Sequence, residues 1–333
     1  MKIRWGVLGV ARIATEKVIP AMQRGDWTEV TAIASRNLEK ARAAAARLGL
    51  PKAYGSYDEL LADPDIDAIY NPLPNDLHVP WTRKAAERGK HVLCEKPIAL
   101  NAAEAKQLLD VRRRTGVRIQ EAFMVRTNPQ WLKVRELIAD GRIGDLRSML
   151  GVFSYFNRDA SNIRNLPSAG GGALLDIGCY LVNTSRFVFS REPLRVMSLI
   201  ERDPDMRVDR LTSIMLDFGS GQSVGTCSTQ MVYYQRMQIF GTRGRIDLPI
   251  PFNAPPDRPC RIMVDTGADL FGGGMTTIEV DTCNQYTIQG DLFAQAILNN
   301  EDVAYPLEDT LKNMACIDAL FRSAESGRWE APQ

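Results

Sequence analysis

Histidine is nearly absent from this chain, since His78 and His91 are the only two among 333 residues. The six cysteines are scattered and form no CxxC pair. A zinc site and a disulfide framework are therefore both unexpected. We expect no bound metal and a reducing, cytoplasmic setting.

The chain also lacks an excess of charge and a long apolar run. Its 41 basic and 40 acidic residues leave a net charge of +1, so no nucleic-acid or membrane partner is expected. The start, MKIRWGVLGVARIA, is too short an apolar run for a signal peptide and is interrupted by Arg12. It is better interpreted as a first β-strand and its turn, and the expected partner is a small molecule.

Over the first third of the chain, short apolar runs alternate with longer helical patterns. The runs predict strands at 3–9, 29–34, 68–71, 91–94 and 118–122. Helices are predicted between them, among others at 38–48 and 102–115. Strand and helix in alternation are typical of a doubly wound α/β domain with a parallel sheet, which we place at 1–122.

After about Met124 the pattern changes to the alternation of half-buried strands. Helices at 129–140 and 173–189 precede strands predicted at 194–201, 209–218, 223–231, 236–240, 245–248, 262–265 and 276–281. This predicts an α+β domain with a large, open, mostly antiparallel sheet at 123–305. Helices at 285–298 and 307–326 follow, and the final segment, 306–326, is expected to pack back on the first domain.

The first strand leads into GVLGVARIA, at 6–14, where a dinucleotide-binding turn would stand. Such a turn needs small residues so that backbone amides can approach a pyrophosphate. Of the G-x-G-x-x-G pattern only Gly9 survives, with Ala11 and Ala14 in the other two places. On its position in the chain we predict a cofactor turn that includes Gly9, Ala11, Arg12 and Ile13.

The second strand ends in Ser35 and Arg36. NAD-specific sites place a carboxylate there for the ribose 2′-hydroxyl, whereas a hydroxyl and an arginine suit a 2′-phosphate. We therefore predict NADP in preference to NAD.

The next two strands end in YNPLPNDLH, at 70–78, and HVLCEKPIAL, at 91–100. The prolines of the first predict a rigid wall of the cofactor crevice, and His78 either orients the loop or binds the ribose. Lys96, at the end of its strand, would point its ammonium towards the nicotinamide. The cofactor residues predicted from these two segments are Pro72, Leu73, Asn75, His78, Glu95 and Lys96.

Four stretches and the end of the closing helix, SAESGRWE, carry a resemblance to a known family. The four stretches are SYDELLADPDIDAIYNPLPNDLH, GKHVLCEKPIAL, NPQWLKVRELIADGRIGDLRSM and GGGALLDIGCYLVN. The chain resembles the glucose-fructose oxidoreductase/inositol dehydrogenase (Gfo/Idh/MocA) superfamily over nearly its whole length. The resemblance implies a Rossmann domain that binds NAD(P). It also implies an α+β domain whose open sheet commonly joins subunits, which here means a homodimer or homotetramer.

Within GGGALLDIGCYLVN, Asp176 and Tyr180 are four residues apart and share a helix face, and Asn183 lies one turn further on. Much of the superfamily has histidine at the position of Tyr180. In having tyrosine at this position, the chain resembles the branch that contains NADP-dependent xylose dehydrogenase, dimeric dihydrodiol dehydrogenase and sugar ketoreductases.

Hydride transfer at a carbinol carbon requires a group that takes or gives the hydroxyl proton. We predict Tyr180 in this role, with Lys96 as the cation that favours its phenolate. Asp176 would hold the substrate hydroxyl or orient Lys96. The resemblance also implies that FSYFNRDASNIRNLP, at 153–167, passes the substrate, with Phe156 and Arg164 as binding residues.

These residues predict an NADP-dependent oxidoreductase of a pyranose sugar or similar polyol, with aldose 1-dehydrogenase of the glucose or xylose type as the leading activity. Ketosugar reduction and trans-dihydrodiol oxidation use the same residues and remain alternatives. A glycosidase that oxidises its substrate transiently is disfavoured, because that branch has histidine in place of Tyr180. A non-catalytic NADP-binding protein is disfavoured by the presence of Lys96, Asp176 and Tyr180.

Overall fold

The computed structural model describes residues 1–333, which form two compact units. The first unit comprises 1–124 and 285–311, and the second comprises 125–284 and 312–333. No helix in either unit combines the length and the apolar character needed to cross a membrane.

Six parallel strands form the sheet of the first unit, in the order β3-β2-β1-β4-β5-β6. The strands are β1 Ile3–Leu8, β2 Thr28–Ala34, β3 Lys52–Tyr54, β4 Ala68–Asn71, β5 His91–Cys94 and β6 Ile119–Glu121. This strand order is that of a dinucleotide-binding fold, which confirms the predicted fold class. The one strand that sequence analysis did not predict, β3, has only three residues and therefore no readable periodicity.

Helices connect these strands. Their bounds are α1 Ile19–Met22, α2 Leu38–Leu48, α3 Tyr57–Ala62, α4 His78–Glu87 and α5 Ala102–Thr115. Of these helices, α2, α3 and α5 each begin with a side-chain cap. Asn101 caps α5 by accepting from the amide of Glu104, and Gly116 ends it in the left-handed conformation. A π turn, Ala14–Val18, precedes α1.

Eight strands form the sheet of the second unit, in the order β14-β13-β12-β11-β7-β10-β9-β8, in which only the β7–β10 pair is parallel. The strands are β7 Leu146–Phe156, β8 Arg195–Arg202, β9 Asp209–Asp217, β10 Gln222–Ser228, β11 Gln230–Gly241, β12 Arg245–Leu248, β13 Cys260–Asp265 and β14 Met275–Val280. Two helices precede β8, namely α6 Pro129–Ala139 and α7 Cys179–Phe189. The open, mostly antiparallel sheet confirms the second half of the predicted fold class, although β7 was missing from the predicted strands.

Two helices follow the second sheet, α8 Gln285–Leu298 and α9 Leu307–Ser326. The first belongs to the first unit, where Asp291 accepts from the amides of Asp26 and Trp27 at 3.0 and 2.9 Å. From Lys312 onward α9 belongs to the second unit, and Ser198 of β8 donates to the carbonyl of Leu320 at 2.5 Å. The expectation that the final helix packs on the first domain therefore differs from the structure. Periodicity shows that a helix has an apolar face but not which sheet that face covers.

Candidate active site

Gly9 forms the turn after β1 in the first unit. Its φ is +84°, and a Cβ placed there would lie 2.9 Å from Cδ2 of Leu73. Only glycine suits this backbone without a shift of Leu73. Ala11 and Ile13 are half-buried and pack against the core of the unit. Arg12 is exposed and pairs with Glu16 at 2.8 Å.

The end of β2 presents a hydroxyl and a guanidinium. The backbone amide of Ser35 donates to the carbonyl of Tyr54 at 3.1 Å, which fixes the position of this residue. Arg36 is exposed and interacts with the hydroxyl of Tyr57, whose pKa is nevertheless raised by burial. The nearest acidic residue along the chain, Glu39, lies on α2 and pairs with Arg42. No carboxylate therefore occupies the strand end.

His78 lies in the core rather than in an open crevice. Its Nδ1 is 2.7 Å from the carbonyl of Pro97, and its Nε2 is 2.7 Å from the carbonyl of Leu73. Burial lowers the pKa of His78 to about 4, against the effect of the two carbonyls. Of the two predicted roles, the geometry fits loop orientation: the ring ties the turn after β4 to the turn after β5, and neither nitrogen is left for a ribose.

Glu95 and Lys96 are half-buried at the end of β5. Tyr70 of β4 donates to Oε1 of Glu95 at 2.6 Å, and the amide of Glu95 donates to the carbonyl of Asn71 at 3.0 Å. Burial, and then the charge of Glu95, raise the pKa of Tyr70. The carboxylate at this strand end is therefore held by a hydroxyl from β4. Sequence analysis missed Tyr70, since a tyrosine inside an apolar strand is read as packing.

The turn between β4 and α4 contains the remaining predicted cofactor residues. Pro72 and Leu73 are buried, and the amide of Leu73 donates to Oδ1 of Asn71 at 3.3 Å. Asn75 is half-buried and begins the 3₁₀ turn that leads into α4.

In the second unit, Asp176 lies on a π turn, Leu174–Gly178, that continues directly into α7. The Tyr155 hydroxyl donates to Oδ2 of Asp176 at 2.5 Å, and Arg164 Nε lies 3.1 Å from both carboxylate oxygens. Burial, followed by the charge of Asp176, raises the pKa of Tyr155, so this phenol stays protonated and donates. Asp176 is therefore an acceptor fixed by two donors, one of which sequence analysis did not identify.

Tyr180 is 5% exposed and lies among aromatic rings. The ring centroids of Phe153 and Phe252 are 5.8 and 5.4 Å away. Asn183, one turn on, is buried and accepts from Arg126 at 3.5 Å. By contrast Phe156, at the end of β7, is 66% exposed.

A second carboxylate, that of Asp209 at the start of β9, lies at the beginning of the helix. Its Oδ2 accepts from the amide of Leu174 at 2.6 Å and from the Thr212 hydroxyl at 3.0 Å. Burial raises the pKa of Asp209 to about 6, although both donors lower it. Sequence analysis missed this residue, which the chain places 35 positions from Leu174.

The raised pKa of Asp209 predicts a pH dependence of stability. The carboxyl group of Asp209 ionises near pH 4 in the unfolded chain but only at about pH 6 in the folded chain. Between these two values the unfolded chain is ionised first, so a rise in pH favours unfolding. The contribution of Asp209 is complete below pH 4 and is lost as the pH rises through 6, about 3 kcal/mol in all. We expect the unfolding free energy of the wild type, relative to Asp209→Asn, to fall by that amount between pH 4 and 7 in urea titrations.

Asp203→Asn provides the matched control for that experiment. The amide of Met206, and then Gln230, hold the pKa of Asp203 at about 2. Its stabilisation is present above the unfolded pKa and is lost only as the pH falls towards 2, so its removal should leave the slope between pH 5 and 7 unchanged. Parallel curves for the wild type and Asp209→Asn would contradict the assignment.

Comparison with known proteins adds to this geometry. Residues 3–123 match the oxidoreductase family with an NAD-binding Rossmann fold, and residues 131–247 match the GFO/IDH/MocA C-terminal domain. An uncharacterized oxidoreductase of Rhizobium meliloti is 48% identical over 98% of each chain. D-xylose 1-dehydrogenase (NADP(+)) 2 of Haloferax volcanii is 38% identical over 97% of this chain and 98% of the relative.

The structure of a 3-ketoreductase from Actinomadura kijaniata, in complex with NADP and TDP-benzene, is similar throughout. Its TM-score is 0.91 at 30% identity, with 97% of this chain and 98% of that chain covered. The same enzyme has been crystallised as a tyrosine-to-phenylalanine mutant and as a lysine-to-alanine mutant.

Proposed function

Since the chain belongs to the GFO/IDH/MocA oxidoreductase family, we propose that it is an aldose 1-dehydrogenase that uses NADP. The coarser activity follows from the family: the protein is an NADP-dependent oxidoreductase acting on CH–OH groups. The preference for an aldose rests on the match to D-xylose 1-dehydrogenase, which covers nearly all of both chains.

The residues of the first unit fit NADP. Gly9 leaves room where a Cβ would collide with Leu73, and the end of β2 offers Ser35 and Arg36 without a competing carboxylate. We assign the pyrophosphate to the backbone from Gly9 to Ile13 and the 2′-phosphate to Arg36. When bound, NADP would accept the hydride from the substrate carbon.

In the proposed reaction, Tyr180 takes the proton of the anomeric hydroxyl as the hydride leaves C1, and a lactone results. An unassisted phenol is a weak base at neutral pH, so Lys96 is assigned to favour the phenolate. Asp176 already accepts from Tyr155 and Arg164, which suits an orienting acceptor better than a base. In the reverse direction the same tyrosine would give its proton to a ketone.

Ketosugar reduction is the second candidate, because the similar A. kijaniata structure is that of a 3-ketoreductase. The two activities share the roles of Tyr180 and Lys96 and differ in substrate and direction.

The deciding experiment follows nicotinamide absorbance at 340 nm with NADP and with NAD, against D-xylose, D-glucose, other aldopyranoses, inositols and trans-cyclic diols. Reduction of NADP by an aldose would support the proposal. Silence with every alcohol, combined with oxidation of NADPH by a ketosugar, would overturn it in favour of the second candidate.

We further propose that the second sheet joins subunits into a homodimer or homotetramer. One face of the sheet is covered within the unit, and the other exposes Tyr234 of β11, Leu150 of β7, Met215 of β9 and Leu199 of β8. Exposed apolar side chains grouped on one sheet face are typical of a protein interface.

Leu150→Arg should therefore lower the oligomer mass in light scattering after size-exclusion chromatography, because a guanidinium would be buried without a partner. Leu292→Arg on α8 is the matched control, since both leucines are 42% exposed. An unchanged mass for Leu150→Arg, or dissociation by Leu292→Arg, would contradict this interface.

A further inference from the structure

The turn that begins the helix of Asp176 and Tyr180 has no capping side chain of its own. Its N-cap residue is Ala173, which makes no side-chain hydrogen bond to the first turn. The amides at a helix start need acceptors, and a carboxylate there is also favoured by the helix dipole. Asp209, at the start of β9, supplies this acceptor: its Oδ2 lies 2.6 Å from the amide nitrogen of Leu174.

The glycines before the helix make room for this arrangement. Gly172 has φ of +120°, and a Cβ on it would lie 1.9 Å from Oδ1 of Asp209. At Gly171 a Cβ would lie 2.5 Å from the carbonyl oxygen of Arg164. The carboxylate of Asp209 thus occupies the space that any side chain at position 172 would need.

Gly172 in turn holds both members of the ion pair by their backbones. The amide of Asp176 donates to the carbonyl of Gly172 at 3.0 Å, and the amide of Gly172 donates to the carbonyl of Arg164 at 2.9 Å. The side chains of Arg164 and Asp176 also pair directly, with Nε 3.1 Å from Oδ2. Gly172, Arg164 and Asp176 are thus each bonded to the other two. A shift of Gly172 would therefore displace Asp176 and Arg164 together.

We propose that Asp209 is a positioning residue, which caps the helix from β9 and thereby fixes Gly172, Arg164 and Asp176. The inference rests on the proposed function, because Asp176 is the group through which Asp209 would affect turnover. Asp209 itself is buried and is not among the residues proposed to contact substrate or cofactor.

Asp209→Ala tests this role with two readouts. Removal of the cap should expose the first-turn amides, so peptides that span 172–178 should exchange hydrogen faster, while kcat falls about tenfold or more. The Kd for NADP should stay within about twofold, because the proposed cofactor residues lie in the first unit. Asp209→Asn retains a carbonyl acceptor for Leu174 and should recover most of the lost protection and turnover.

Asp203→Ala is the matched control, because Asp203 is also buried and also caps backbone amides, those of Asp205 and Met206 at 2.9 Å. It lies in the turn between β8 and β9 and makes no contact with the helix start through those bonds. It should lower the melting temperature without changing kcat or exchange at 172–178. An equal loss of kcat in both alanine variants would overturn the specific role of Asp209.

If Asp209→Ala does not fold, Thr212→Val replaces it. The variant leaves Asp209 in place and removes the hydroxyl that holds Oδ2, so the same pattern is expected at about threefold in kcat. Unchanged exchange and kcat in a folded variant would overturn the inference. A wild type without turnover on any sugar would overturn the proposed function instead, and exchange at 172–178 would then decide the role of Asp209 alone.

Discussion

Replacement of Tyr180 by phenylalanine is expected to lower kcat by about 10²- to 10⁴-fold, the usual contribution of a general acid–base group. The substitution removes only the hydroxyl, and the ring keeps its contacts with Phe153 and Phe252. The Kd for NADP, measured by fluorescence titration, should therefore stay within about twofold. Steady-state rates with the best aldose measure the loss.

Tyr155→Phe is the control, because it removes a phenol of the same unit that bonds to Asp176. Burial and the charge of Asp176 raise the pKa of Tyr155, so it donates a hydrogen bond and is unsuited to serve as the base. We expect a loss of about tenfold, the lower end of what one hydrogen bond to a charged group contributes. Turnover of Tyr180→Phe close to the wild type, or an equal loss in both variants, would remove Tyr180 from the proposed mechanism.

Arg36→Ala is expected to raise the Kd for NADP by about 10- to 100-fold and to leave the Kd for NAD within about twofold. The arginine is the cation at the end of β2, and a charge-assisted hydrogen bond to a phosphate contributes about 1.5–3 kcal/mol. NAD lacks the 2′-phosphate, so its Kd should not change when Arg36 is removed. Titration of both nucleotides with the wild type and the variant measures the difference.

Arg42→Ala controls for the general effect of removing positive charge near this strand. Arg42 lies on α2, is exposed, and pairs with Glu39 at 2.9 Å. Its removal should change neither affinity. Equal losses of NADP and NAD in Arg36→Ala would show that Arg36 does not recognise the 2′-phosphate.

Patterns local to the chain predicted most of the fold. Alternating strands and helices, with Asn101 and Gly116 as caps, were sufficient for the parallel sheet. By contrast β7 was missed because both of its faces carry apolar residues, such as Met149 and Phe153 on the covered face and Leu150 on the other. A strand that is apolar on both faces loses the period-two signal.

The residues of the candidate site also fall into those that local sequence motifs predict and those that they do not. Gly9, Lys96, Asp176 and Tyr180 stand in compact motifs, and a sequence can display them. Tyr70 reaches Glu95 because β4 pairs with β5, whereas Tyr155 and Asp209 reach Asp176 and Leu174 because the helix packs on the second sheet. No spacing along the chain encodes those contacts. The sequence leaves two roles open for His78, and the choice between them depends on burial, which a single histidine in a loop does not disclose.

The chain path has a consequence for protein engineering. The nucleotide-binding unit is assembled from two separate segments, 1–124 and 285–311, and Phe293 of the second segment lies 5.5 Å from Trp5 in the centre of the first. A fragment cut at 124 would leave the apolar surface around Trp5 open to solvent. A chimaera that exchanges cofactor preference between relatives must therefore transfer α8 together with the N-terminal segment. Otherwise α8 of one protein would have to pack on the core of another.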